Sequence, residues 1–203
     1  MTSGYQRCAI SVTKDGQYEL RVKPRGMAFD LGGIAKGFAA DEMLRGLKKA
    51  GFSRVAIIAG GDVRVGDAPR GKEGWEVGLR TIEREKIDET IVLSNAAVST
   101  SGGLYQTVII EGVSYSHIVD PATGLGLTNA IAASVVARDA THSDAIATAA
   151  CVAGPERALE NIGDWGGIAV RVVSKDSGVP KVAVSKGFAE LVKREAPDDG
   201  EGD

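Results

Sequence analysis

The sequence predicts a single α+β domain on a mixed, largely antiparallel sheet with two main helices. Three observations carry this. Strand-type segments outnumber helical ones, and Asp-Gly and Glu-Gly turns sit between short apolar runs, the signature of hairpins. Two helical stretches interrupt the strands, each with a legible stop. No internal repeat or low-complexity linker divides the 203 residues, a length that suits one domain. The domain is expected over residues 1–194. Glu195 to Asp203, acidic and containing Pro and Gly, is expected to be a disordered tail.

Taken in order, Cys8 to Val12 and Tyr18 to Val22 flank Lys14-Asp15-Gly16 and form a hairpin. From Ile34 the period changes: Ile34, Phe38, Leu44 and Leu47 share a helical stripe, Lys48 and Lys49 fall in the last turn, and Gly51 follows as a stop. Val55 to Ala59 reads as a short buried strand. Further strands are expected at Trp75 to Leu79, Thr90 to Leu93, Ala97 to Thr100, Gln106 to Ile110 and Val113 to Ile118, the last two joined by Glu111-Gly112. After a strand at Ile131 to Ala137, the alanine-rich run Thr141 to Val152 is helical and ends at Gly154. Pro155 opens a short helix that Gly163 closes. Ile168 to Val173 and Lys181 to Val184 close the chain as a strand pair around Asp176-Ser177-Gly178.

Composition excludes several function classes. Lys+Arg 24 against Asp+Glu 27 gives a net charge of -3, which offers no electrostatic grip on nucleic acid or anionic lipid. Phe 4, Trp 2 and Tyr 4 are too few for an aromatic stacking platform. Cys8 and Cys151 share no zinc or C-x-x-C spacing; a single disulfide between them stays open. No stretch reaches the ~20 apolar residues of a membrane span, and Met1 to Cys8 holds no export signal. Glycine is the unusual number: 27 of 203 residues, against about 7% ordinarily. With 43% hydrophobic residues the excess does not signify disorder, so glycine serves backbone geometry or close approach.

Five constellations offer chemistry, and each has a plain structural reading beside it. Asp30-Leu31-Gly32-Gly33-Ile34-Ala35-Lys36-Gly37 turns through paired glycines into a helix whose free N–H groups and lysine suit a phosphate; a capped turn explains it equally. Ala59-Gly60-Gly61-Asp62 ends a strand with a carboxylate, or simply turns. Ser99-Thr100-Ser101-Gly102-Gly103 brings hydroxyls and backbone close to a ligand, or rounds a corner. His117, three residues before Asp120, is a general-base candidate or a structural histidine. Asp144 and Thr148, four apart on one helix face, offer hard oxygen ligands to magnesium, or serve the helix itself. His142 points to another face and is expected to be exposed.

The order of these segments is more informative than any one of them. D-L-G-G-I-A-K-G-F-A-A-D, A-G-G-D-V, G-W-E-V-G-L-R, V-S-T-S-G, Y-S-H-I-V-D-P-A-T-G and S-D-A-I-A-T-A follow one another between Asp30 and Ala149, a succession that resembles the ApbE family of FAD:protein FMN transferases. The resemblance implies an ApbE-like fold and a magnesium-dependent transfer of FMN from FAD to a threonine or serine hydroxyl of an acceptor flavoprotein, releasing AMP. It leaves two alternatives: a FAD pyrophosphatase giving FMN and AMP, or a non-catalytic flavin-binding module. By the same resemblance, Asp30, Lys36, Val119 and Asp120 line the FAD site. The Gly33 carbonyl, Asp144 and Thr148 hold magnesium, and His117 is the base for the attacking hydroxyl.

This sequence departs from the family pattern in two ways. Gly103-Leu104-Tyr105-Gln106-Thr107 lacks the acid and arginines that often follow Ser-Gly. The chain also begins near the middle of a typical member, so an amino-terminal portion carrying an export or lipoprotein signal is expected to be missing. A periplasmic or membrane-anchored location would follow from such a segment.

Overall fold

The computed structural model describes residues 7–23, 27–81, 85–102, 107–176 and 179–193. The expected tail, Ser177-Gly178, and the departure at Gly103 to Gln106 lie outside the described residues.

The chain opens with the hairpin read from the sequence, β1 (Cys8–Val12) and β2 (Tyr18–Val22), closed at Gly16 with φ 76°. Helix α1 (Ala35–Lys49) ends before Gly51, whose φ of 91° only glycine adopts freely. Then come β3 (Ala56–Ala59), β4 (Asp62–Val65), β5 (Trp75–Leu79), β6 (Glu89–Leu93) and β7 (Ala97–Gly102). Strands β8 (Thr107–Ile110) and β9 (Val113–Ser116) pair around Glu111 and Gly112, both at positive φ, and β10 (Ala130–Ala137) follows. The second half comprises α2 (Ala140–Ala153), α3 (Pro155–Asn161), β11 (Gly167–Asp176), β12 (Val179–Val184) and α4 (Lys186–Leu191).

Six strands form the main sheet in the order β12-β11-β10-β7-β4-β3, and every pairing within it is antiparallel. The α+β expectation holds. Beside the two main helices stand the shorter α3 and α4. Strand β4 went unread because four residues after a glycine turn, with two charges among them, give a weak apolar signal.

The sheet is covered on both faces, and residue alternation decides which side chain goes where. One face carries Ile131, Ala133 and Val135 of β10 and Val170 and Val172 of β11 against Ile146, Ala147, Ala150 and Cys151 of α2. The other carries Val65, Val98, Val136 and Ala169 against the β5–β6 hairpin and Phe188 of α4. Arg171 fastens that hairpin: it pairs with Asp88 at 2.7 Å and donates to Thr81, and it is buried.

The stripe on α1 differs from the expected one. Gly37, Ala40 and Leu44 are buried, whereas Ile34, Phe38 and Leu47 are exposed. The reason is close approach: a Cβ on Gly37 would collide with the Ala140 carbonyl, so small residues, not the large apolar ones, face α2. Cys8 and Cys151 are separate thiols. No helix among the described residues is long and apolar enough to cross a membrane.

Candidate functional site

The alternation that builds the core also builds the site. On β4, Val63 and Val65 pack on the hairpin face, which turns Asp62 and Arg64 toward the helices. On β7, Val98 packs on that same face, so Ser99 and Ser101 look toward α2, where Ser99 Oγ lies 2.7 Å from Ser143 Oγ and Ser101 Oγ lies 3.0 Å from Thr148 Oγ1. Polar residues at alternating strand positions thus meet the polar stripe Ser143, Asp144 and Thr148 of α2.

Lys36, in the first turn of α1, reaches into this junction. Its Nζ donates to both oxygens of Asp144, at 3.1 and 3.2 Å, and to the Gly32 carbonyl at 3.3 Å. The Gly37 N–H, one of the donors that a helix start leaves without an intrahelical partner, donates to Asp144 Oδ2 at 3.1 Å. Asp144 is only 1% exposed, so a carboxylate there needs this lysine and this helix end. Burial alone would lower the Lys36 pKa. The bond to Asp144 and the charges of Asp62 and Asp144 outweigh it and hold the ammonium above its ordinary value.

Asp62 is the third charge of the cluster. It is 2% exposed, and its Oδ2 lies 3.4 Å from Lys36 Nζ, in ion-pair reach but off hydrogen-bond alignment; this oxygen accepts no hydrogen bond. Burial, then the neighbouring Asp144 charge, push its pKa up to about 6 against the pull of Lys36 and Ser99. The β3–β4 turn makes room for the lysine: Gly60 and Gly61 have φ of 59° and 99°, and a Cβ on Gly60 would stand 2.9 Å from Lys36 Cδ. Gly33 likewise fits closely, since a Cβ there would meet Thr148 Oγ1 at 3.2 Å.

Asp41, the last residue of the D-L-G-G-I-A-K-G-F-A-A-D segment and not among the expected site residues, holds the two helices in register. It accepts hydrogen bonds from the Ala140 and Thr141 N–H groups at 3.0 and 2.8 Å, from Thr141 Oγ1 at 2.6 Å and from Arg64 Nε at 2.8 Å. Burial raises its pKa, but the bonds from Thr141, Ala140 and Arg64 prevail and hold it below the ordinary carboxylate range. A residue of α1 thereby satisfies N–H donors at the start of α2.

The structure therefore brings Gly33, Lys36, Asp144 and Thr148 together, and adds Asp62, Ser99, Ser101 and Asp41. Asp62 and the two serines had sequence signals, in A-G-G-D and S-T-S, without a residue pattern that distinguishes a site from a turn. Asp30 and Asp120 use their carboxylates locally: Asp30 Oδ1 accepts from Gly32 N at 2.7 Å and Asp120 Oδ1 from Ala122 N at 2.8 Å. Val119 is exposed and bridges to Gly126 within the same loop. His117 stands exposed between buried Ser116 and Ile118, and Ile118 is packed in the core with Ile146 and Ala147 of α2. His142 is exposed and pairs with Asp139, the α2 cap, at 2.7 Å.

The donor set suits a hard divalent cation. Among the described residues no group of three or more His, Cys, Asp or Glu gathers to form an all-protein metal cage. What lies together is oxygen: the Asp144 carboxylate and the Thr148 hydroxyl, one helical turn apart on α2, with the Gly33 backbone packed against Thr148. Two buried carboxylates facing one ammonium leave an excess negative charge. That chemistry fits magnesium sharing its sphere with phosphate oxygens and water.

Comparison with known proteins identifies the family of the chain. The model of the ApbE family matches residues 2–172. A Treponema pallidum protein named FAD:protein FMN transferase is 29% identical over 198 residues, covering 92% of this chain and 53% of the relative; its Escherichia coli K12 namesake is 28% identical over 200, covering 95% and 55%. The crystal structure of an ApbE protein from Thermotoga maritima superposes with a TM-score of 0.78 at 29% identity, over 95% of this chain and 61% of that one. The apo flavinyl transferase ApbE of Pseudomonas stutzeri gives 0.76 at 25% identity, over 96% and 59%. The chain spans about half the length of the curated relatives it matches. It belongs to the ApbE family.

Proposed function

We propose that this ApbE-family chain carries the metal and diphosphate site of a FAD:protein FMN transferase, with FAD as substrate and a threonine or serine hydroxyl of an acceptor protein as nucleophile. The observation that carries the reading is the Lys36–Asp144–Asp62 cluster at the glycine-rich start of α1, in which two buried carboxylates face one partly exposed ammonium, so that anion-binding and cation-binding groups meet in one place.

In the reaction, the acceptor hydroxyl oxygen bonds to the flavin-side phosphorus, the bond from that phosphorus to the bridging oxygen breaks, and AMP leaves with that oxygen. His117 takes the hydroxyl proton, since a hydroxyl near neutral pH is a poor nucleophile without a base. Lys36 faces the diphosphate oxygens with a fixed positive charge. Asp144, Thr148 and the Gly33 carbonyl would hold magnesium, which neutralises charge on the phosphate oxygens and assists departure of AMP. Gly32, Gly33, Gly60 and Gly61 let the backbone approach the dinucleotide. The exposed loop of Val119 and Asp120 borders the flavin.

The test supplies FAD, Mg2+ and an acceptor domain, and follows AMP together with the acceptor mass. Equimolar AMP and FMN-labelled acceptor are expected, with both lost in Asp144→Asn. FMN appearing free at the same rate with and without acceptor would make the chain a hydrolase. Unchanged FAD from a folded sample that binds Mg2+ would overturn the transfer.

A further inference from the structure

The proposed cation site has a resident competitor. Lys36 Nζ lies against both oxygens of Asp144, so a divalent cation on that carboxylate and the ammonium cannot occupy the same oxygens. Two positive charges bound to one buried carboxylate repel strongly where water is scarce. The ammonium must move, and beside the solvent it partly faces and the Gly32 carbonyl it already touches, the structure offers it a second carboxylate. Asp62 Oδ2 is buried, accepts no hydrogen bond and stands 3.4 Å from Nζ, so a small rotation of the lysine tip converts a misaligned ion pair into a charge-assisted hydrogen bond. The path is clear because the lysine stem crosses Gly60, where a Cβ would press on Cδ at 2.9 Å.

Resting on the magnesium reading above, we propose that Asp62 is a positioning residue that receives the Lys36 ammonium when a divalent cation binds Asp144, and so sets the affinity of the site for metal. Lys36 then stays charged and close to the diphosphate instead of being expelled to solvent. The unbonded oxygen of Asp62, otherwise a costly feature for a buried carboxylate, is explained as the second seat of the lysine. Asp62 acts through Lys36 and touches neither metal nor substrate.

Mn2+ binding to the full chain, read by calorimetry or by loss of the free-ion electron paramagnetic resonance signal, tests this without any turnover. Asp62→Asn is expected to weaken Mn2+ binding about tenfold, a coupling typical of residues in contact. Lys36→Met is expected to tighten it. In the Lys36→Met background, adding Asp62→Asn is expected to cost much less than it does alone, because the ammonium it would accept is gone. An equal loss in both backgrounds would make Asp62 a direct ligand or a simple field charge and overturn the proposal. So would an Asp62→Asn affinity within twofold of the unchanged protein. Absence of Mn2+ binding by the unchanged protein would overturn the metal reading with it. Circular dichroism checks the fold of each variant, and Asp62→Ser serves in place of Asp62→Asn if the amide disturbs packing.

Discussion

At the scale of single residues, Asp62 makes a prediction about stability that is independent of turnover. Its pKa rises to about 6 in the folded chain, from about 3.8 when exposed, so the folded state binds its proton more tightly than the unfolded one. Stability from this group is therefore greatest at low pH and falls as pH rises from roughly 4 through 6. At about 1.4 kcal/mol per unit, the charged form costs on the order of 2–3 kcal/mol at neutral pH. Asp62→Asn removes that cost. Thermal melts without metal or FAD should show the variant about 5 °C more stable at pH 7.5, with the gap closing toward pH 4. A gap of the same size at both pH values would mean that packing, not charge, is responsible. Asp144 differs: Lys36 and the Gly37 N–H already satisfy it, so Asp144→Asn should leave stability within ~2 kcal/mol while reducing the FAD reaction at least 100-fold.

At the scale of elements, the junction of α1 with α2 holds the site, and two substitutions probe it. Gly37→Ala places a methyl against the Ala140 carbonyl, backbone that cannot rotate away; the helices must separate, at about 3 kcal/mol or more. Asp41→Ala leaves the Ala140 and Thr141 N–H groups at the start of α2 without their acceptor and the half-buried Arg64 without its carboxylate, at roughly 3–4 kcal/mol by the urea midpoint with an unchanged m-value. Both should also weaken Mn2+ binding, since Lys36 and Asp144 sit on opposite sides of this contact. A loss of stability with metal affinity retained would place the site's rigidity elsewhere. This junction also marks where the sequence was legible. Hairpin turns, helix stops and the long α2 could be read because Gly16, Gly51, Gly112 and Gly154 punctuate them at positive φ. The buried stripe of α1 was misread because hydrophobic periodicity rewards Phe38 and Leu47, while the contact with α2 selects Gly37 and Ala40 for their smallness. Lys36, Gly33, Asp144 and Thr148 stood out as a set only through the order of motifs. Asp62 and Asp41 gain their meaning from Lys36 and Thr141, 26 and 100 positions away, which no local pattern encodes.

At the scale of the whole molecule, protection is unevenly distributed. Strand β10 lies inside the sheet, is paired on both edges, and has all but its first residue buried. Among the described residues the β1–β2 hairpin pairs only with itself, and it leaves Ile10 73% and Tyr18 82% exposed. Its register puts Ile10 opposite Leu20 and Val12 opposite Tyr18 on one face, with Ser11 opposite Glu19 and Ala9 opposite Arg21 on the other, so an amphipathic ribbon stands against no core of the described chain. An isolated two-stranded ribbon is marginal in water. Local opening should therefore cost almost nothing at β1–β2, an intermediate amount at β8–β9, and close to the global unfolding free energy at β10. Hydrogen exchange read by mass spectrometry should follow that order, with amides of 8–22 exchanging within seconds and those of 131–136 protected for hours. FAD with Mg2+ should slow exchange at the start of α1 and in α2 around Asp144, where Lys36 and Gly37 N–H meet the carboxylate, and leave 8–22 fast. Protection appearing at 8–22 on adding FAD would instead make that ribbon part of the flavin pocket, and its apolar face the surface on which the ring system lies.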